Sequence, residues 1–240
     1  MEPTQAKLYG RMMKAISRSH SFGNTVRMVK LPLIFMDELL YAGAIAQFHL
    51  LSEALEGGLL CHASHPLVAK LDALELEVTP GYASDLKELY GKDWRAKAAG
   101  ACTPQTAEYI KILEGADAVT LVAAAFILYG ALVVGGGKVT QRKVKRVLPN
   151  CKHVLFDVAE DMGAARQRFK DTFNEIGEAF PEHAANLEEQ ATRFMQLNNT
   201  VILSIPCWGR SATAMALTTA ITVAATAGAV AALLRLRRGA

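Results

Sequence analysis

His20 closes a stripe of apolar residues. Leu8, Met12, Ile16 and His20 follow one another at steps of four, so they share one slowly drifting face of a helix. Lys7, Arg11, Lys14 and Arg18 take other positions. A histidine on such a face is either packed in a core or holds a metal. Neutral imidazole in apolar surroundings is a good ligand for haem iron. Cys61, His62 and His65 form a Cys-His-x-x-His cluster, but no complementary pair of ligands accompanies it to complete a zinc site. Basic side chains supply the remaining chemistry. Five of the nine residues from Lys138 to Arg146 are basic, which suits an anionic ligand, an acidic partner or a solvated helix face. Arg166 and Lys170 stand one turn apart on one face of a charged segment.

Several chemistries are excluded. There is no P-loop, no G-x-G-x-x-G after a strand, no G-x-S-x-G and no H-E-x-x-H. No Glu-x-x-His pair occurs, against a carboxylate di-iron bundle. Any chemistry therefore has to come from a bound cofactor. The net charge of +3 gives no polyelectrolyte argument for nucleic acid. Four cysteines, Cys61, Cys102, Cys151 and Cys207, lie far apart with no C-x-x-C, which suits free thiols in a reducing compartment. The N-terminus lacks the long apolar run of a secretory signal. No internal repeat is present.

The elements that position these residues read as helices throughout. The expected order begins with a helix from Thr4 to His20. After Pro32 a second runs through Asp37 to Glu56 and stops at Gly57-Gly58. His65-Pro66 opens the next, carrying Leu67, Leu71, Leu74 and Leu76. Pro80-Gly81 is read as a turn before a short helix, Tyr82 to Tyr90, that ends at Gly91. Thr103-Pro104 is a helix start with proline at the first position. Ala118 to Gly137 contains no charge over 20 residues. A helix apolar all round is buried in a core or in lipid. The glycine-rich end and the missing aromatic belts favour a core helix around which the chain folds. Gly135, Gly136 and Gly137 suit a backbone that must bend, stop or let a flat group lie against it. Glu160 to Phe180 is a charged helix, and Pro181 opens the last amphipathic one, which runs to about Leu203. No strand pair is evident, and the fold class is all-α.

The C-terminus is separate. Ser211 to Leu234 is 24 residues without charge, bounded by Arg210 and by Arg235, Arg237 and Arg238. As a helix it would be about 36 Å long, enough to cross a bilayer. The expected organisation is a helical domain over 1–205, a short linker at 206–210, a transmembrane tail anchor at 211–235 and a basic tip at 236–240. The domain would face the cytosol from the endoplasmic reticulum or the mitochondrial outer membrane.

Taken in order, these features resemble the haem oxygenase family. A histidine follows the first apolar stripe, Leu89-Tyr90-Gly91 precedes Trp94, Thr103-Pro104 starts a helix with Tyr109, and an apolar helix ends in glycines. The similarity covers residues 5–200, and the tail is similar to the membrane anchor of the family's animal members. The resemblance implies a multi-helix bundle that binds haem and opens its porphyrin to biliverdin, carbon monoxide and iron, with electrons from a reductase. His20 falls where the family has its proximal ligand. Tyr129 through Val139, YGALVVGGGKV, lies ungapped on the distal signature Y-L-G-D-L-S-G-G-Q-V-L. Gly135 and Gly136 match its second pair of glycines, and Ala131 takes the place of the first distal glycine, with Gly130 one position earlier. Arg166 and Lys170 fall on basic positions for the haem propionates. Phe194 to Asn198 resembles the hydrophobic wall of the last helix.

The departures concern proton delivery. The signature's aspartate, which organises distal water, is Leu132 here. The network's arginine is Leu128 and the adjoining tyrosine is Phe126. The acid one turn after the proximal histidine is Asn24. Leucine neither holds a water nor relays a proton. The resemblance therefore implies haem binding more strongly than ring opening, and a carrier, sensor or scaffold of the same fold is the alternative. His49 is the second candidate for the iron.

Overall fold

The structure, a computed structural model, describes residues 7–208. The termini beyond them, with the start expected at Thr4 and the expected anchor at 211–235, lie outside the described residues. All regular structure among the described residues is helical. The helices are α1 (Leu8–Ile34), α2 (Glu38–Cys61), α3 (Pro66–Ala69), α4 (Thr79–Tyr90), α5 (Trp94–Gly100), α6 (Pro104–Glu114), α7 (Ala118–Val133), α8 (Gly137–Val147), α9 (Met162–Ala179) and α10 (Ala184–Ser204). Short 3-10 turns lie at Lys70–Leu74, Val154–Phe156 and Pro181–His183.

Helix α7 is the centre. Asp117 caps it by accepting the Thr120 N–H at 2.8 Å. Every residue from Ala118 to Val133 is buried except Thr120, Gly130 and Ala131. Helices α10, α2, α3 and α9 supply most of the cover. Each buried Leu, Ile, Val or Phe contributes about 2 kcal/mol of hydrophobic stabilisation, so covering this helix is a main driving force of the fold. No single described helix is long and apolar enough to cross a membrane; α7 and α8 pass that test only as a pair bent by 51°.

That bend explains the glycine run. The Val134 and Gly135 N–H groups both donate to the Gly130 carbonyl, at 2.9 and 2.8 Å. A Cβ on Gly135 would lie 2.6 Å from the Ala131 carbonyl oxygen, and one on Gly137 would lie 2.7 Å from that of Leu132. Any side chain at either place would strike the backbone that has just turned.

Three expectations are corrected. His20 does not end the first helix, because α1 continues to Ile34 with Pro32 inside its last turn. Proline removes one helical bond, but here only a few residues remain and Phe35 N–H still reaches the Leu31 carbonyl at 2.9 Å. Gly57-Gly58 does not stop α2, which runs to Cys61. Gly58 is a packing glycine, since a Cβ there would lie 2.9 Å from a methyl of Leu121 on α7. Pro80-Gly81 is not a separate turn; Pro80 sits in the first turn of α4, where its missing N–H is not needed.

Helices α1 and α10 run side by side in the same direction. Arg11 meets Glu188 at one end, and Lys30 Nζ donates to the Ile202, Leu203 and Ile205 carbonyls at the other. Between them a Cβ on Gly23 would lie 2.0 Å from Asn199 Oδ1. Asn199 Nδ2 donates to the Ser19 carbonyl at 2.7 Å, while its buried oxygen has no hydrogen-bond donor and fills the space of the missing side chain. The contrast with Gly10, which has nothing within 4 Å of a built Cβ, gives a matched test. Gly10→Ala should stabilise by about 0.5–1 kcal/mol through helix propensity. Gly23→Ala should destabilise by about 1–3 kcal/mol by displacing Asn199. Urea melts of both variants check the opposite signs.

Candidate functional site

His20 sits in the middle of α1 and is half-buried. No protein group among the described residues hydrogen-bonds its ring, so a nitrogen lone pair is free. Burial, helped by the charge of Arg27, holds its pKa below the ordinary histidine value. The imidazole is therefore neutral near pH 7, the form that ligates metals. Arg27 follows seven residues later, about 20° away around the helix. Its guanidinium is half-buried and has no ion-pair or hydrogen-bond partner among the described residues. A cation in that state favours an anionic group beside it. Asn24, at the place of the family's acid, is exposed.

The end of α7 offers the second surface. Ala131 is the one exposed residue of this helix, and Gly136, just beyond the bend, is also exposed. A Cβ on Gly136 would meet nothing within 4 Å. Gly135 is half-buried and allows the bend. Together they leave a short stretch of exposed, side-chain-poor surface at the end of an apolar helix. Gly130 faces the other way, because a Cβ there would meet Phe169 of α9 at 3.3 Å. Leu132, Leu128 and Phe126 are buried, and α7 carries no ionisable carboxyl or basic side chain.

Arg166 and Lys170 lie on α9, both half-buried. Arg166 Nε donates to the Val133 carbonyl at 2.9 Å, placing a cation on the last turn of α7, where helix carbonyls are unpaired. This holds the bend to α9. Phe194 is fully buried and stacked on Tyr109, with ring centroids 5.4 Å apart, so it presents no surface of its own. His49 is also in the core, 5.3 Å from the Trp94 ring centroid and 3.4 Å from Glu53. Burial pushes its pKa down, with Glu53 opposing. Cys61 is exposed, and His65 caps α3 by accepting the Leu67 N–H.

A polar cluster that the sequence pattern did not reveal lies between α2, α4 and the segment after α8. Asp85, Cys151 and His153 are all buried, with their donor atoms within 4.8 Å of one another. His153 Nε2–H donates to the Leu148 carbonyl at 2.7 Å, and Tyr41 Oη–H donates to Nδ1 at 3.1 Å. Asp85 accepts the Val154 and Leu155 N–H groups at 2.8 and 3.1 Å. Burial raises the Asp85 carboxyl and pushes the Cys151 thiol up to about 12. Each donor and acceptor of His153 is engaged by the protein, so the set pins this segment as a satisfied network. Its members are 41, 85 and 148–155 in the chain, and no local spacing links them.

A free neutral imidazole, an unpaired guanidinium, further cations on α9 and a bare helix end are residue types that suit a flat, iron-bearing, anionic ligand. The fit is to haem. A protein-family model described as heme oxygenase matches residues 6–204. The fold is similar to that of heme oxygenase 2 from Chlamydomonas reinhardtii without heme, at 24% identity and a TM-score of 0.78, over 85% of this chain and 100% of that one. It is similar to heme oxygenase-1 from Synechocystis sp. PCC 6803 in complex with heme, at 18% identity and a TM-score of 0.71, over 91% of this chain and 100% of that one. A third similar structure is heme oxygenase-2 from the same cyanobacterium in complex with heme and NO, at 20% identity and a TM-score of 0.69, covering 83% and 85%. No curated protein matches the sequence. With nearly all of the described residues matched by the family model and the all-helical fold shared, the chain belongs to the haem oxygenase family.

Proposed function

We propose that this protein binds haem with His20 as the axial ligand, and that the dry wall behind α7 makes it a slow catalyst of ring opening. The observation that carries the reading is the half-buried, neutral and unpartnered imidazole of His20 on the same face as an unpaired Arg27. Two of the similar structures are complexes with heme. Arg27, Arg166 and Lys170 are the candidate partners of the propionates, and the bare turn from Ala131 to Gly136 is the candidate distal cover. Bound haem supplies the redox-active iron and the porphyrin edge whose oxidation gives biliverdin, carbon monoxide and iron.

The protein's own tasks are ligation, orientation and proton handling. Ligation falls to His20 and orientation to the three cations. Proton handling is the weak step. Leu132 and Leu128 are apolar where the family's pattern has groups that hold water, and Phe126, at the place of the adjoining tyrosine, packs on Phe169 and Phe173 of α9. Positioned proton transfer contributes about 10²–10⁴-fold to rates, so its loss leaves a protein that holds haem far longer than it turns it over. The second reading, a haem carrier, sensor or scaffold, is favoured by the same three side chains. Ring opening would draw its electrons from an external reductase. Ser211 to Leu234 is proposed as a tail anchor that leaves the domain facing the cytosol, in the endoplasmic reticulum or mitochondrial outer membrane.

Three outcomes are expected. In His20→Ala the absorption spectrum of the ferric haem complex changes and added imidazole restores it, whereas His49→Ala leaves it unchanged. An unchanged spectrum in His20→Ala assigns the iron elsewhere. The second concerns pH. Protonation removes the lone pair that binds iron, and the lowered pKa of His20 moves that event to more acidic pH. A haem titration should therefore retain His20-dependent binding through the pH range where an exposed histidine protonates, and lose it below. Loss already at the ordinary histidine pKa would contradict the burial effect. The third concerns turnover. With haem and a competent reductase, the haem spectrum should persist and biliverdin should form slowly. Leu132→Asp alone should not restore turnover, because Leu128 and Phe126 remain apolar and a lone buried carboxylate is costly. Rapid stoichiometric conversion by the unaltered protein would refute the dry-wall account.

A further inference from the structure

The face of α1 turned away from His20 is apolar and partly exposed. Phe22, Val26, Val29 and Leu33 recur at steps of four, three and four, one stripe of a helix. Phe22 is 54% and Val29 65% exposed. Phe22 lies two positions after His20, so the stripe points about 160° away from the imidazole.

Helix α10 continues this surface. Asn199 faces Gly23, and Leu203 follows one turn later. On two helices that run in the same direction, the exposed side of α10, carrying Gln196, Thr200 and Leu203, falls beside the Phe22 stripe, while its buried side falls toward His20. Leu203 is 50% and Trp208 67% exposed. Lys30 closes the seam by bonding three carbonyls of the last turn of α10. An apolar patch thus spans two helices at the point where the chain leaves the described domain.

From this placement we infer that the outer face of α1 and the end of α10 lie against an anionic lipid surface. The inference rests on the proposed tail anchor. Two observations select lipid over other occupants. The first is where the remaining chain starts: only Gly209 and Arg210 separate Trp208 from the uncharged 24 residues Ser211 to Leu234. A span of that length holds the residues before it at the headgroups, and tryptophan favours that level. The second is charge. Helix α1 has no acidic residue, and of its cations Lys14 and Arg18 are exposed without an ion-pair partner among the described residues. From Gln190 to Ala240 there is again no Asp or Glu. Of the acids against α1, Glu188 is paired with Arg11 and Asp37 is engaged as the cap of α2. Exposed Lys14 and Arg18 border the apolar stripe. A basic helix with one apolar face is the kind that lies in the plane of an anionic interface.

The test uses the full chain with vesicles containing phosphatidylserine and brominated phosphatidylcholine, whose bromines quench nearby indoles. Trp94 is buried and serves as a constant background. In a Trp208→Phe background, Val29→Trp reports the stripe. Leu60→Trp reports the far end of α2, about 33 Å from its start. Co-flotation with vesicles reports the anchor separately. The expected result is co-flotation of both variants, with Val29→Trp losing half or more of its added emission and Leu60→Trp losing little. Co-flotation without quenching in Val29→Trp overturns the lipid face and leaves the anchor standing. Failure to co-float overturns both. In lipid-free protein, an indole at Val29→Trp shielded from acrylamide in a dimer would assign the face to a second copy. Shielding in a monomer, unchanged by lipid, would assign it to the chain's own tail.

Discussion

A helix without a charged side chain has to be covered on every side, and α7 imposes that demand on the rest of the chain. Helices α2, α9 and α10 each give it an apolar face. Gly58 exists so that α2 can reach the methyls of Leu121. The cover is complete for about three turns and then fails at Ala131, where the backbone bends through Gly135 and Gly137. The surface at which a ligand can meet this helix is therefore a consequence of how the helix ends. Arg166 holds that end by bonding the Val133 carbonyl, so one side chain both fixes the bend and brings positive charge to it.

The second constraint is the seam between α1 and α10. Asn199 occupies the space left by Gly23 and holds the Ser19 carbonyl, one residue before His20. This fixes the rotation of α1 about its axis. One side of the helix then carries His20 and Arg27, and the opposite side carries Phe22 and Val29. The same rotation that turns the imidazole inward turns the apolar stripe outward. Site and surface are thus two results of one packing contact.

Local pattern made some of this legible. The four-residue stripe from Leu8 to His20, the Thr103-Pro104 start and the uncharged run from Ala118 each carry their meaning within a few residues. The family's order of motifs added the expected roles of Gly135, Gly136, Arg166 and Lys170. Glycine and proline misled where tertiary packing outweighed propensity. Gly57-Gly58 reads as a stop until Leu121 is seen against it, and Pro32 reads as a break although it needs only one bond removed near a helix end. Other features were hidden because they join distant parts of the chain. Tyr41, Asp85 and His153 share a network with no common spacing, and Gly23 meets Asn199 across most of the domain. Arg27 carries no local signal beyond its charge, because its lack of a partner is a property of the fold. Phe194 matches the family's wall residue in sequence, yet its ring is stacked on Tyr109 in the core.

In the proposed complex, His20 presents a free neutral imidazole to a haem covered by the bend of α7. The most direct measurement is a crystal structure of the full chain with haem bound. The account requires a ring nitrogen of His20 on the iron, the backbone from Ala131 to Gly136 over the opposite face, and no ordered water held by Leu132. Iron held by another side chain, or haem lying away from the bend with His20 still packed against protein, would contradict it.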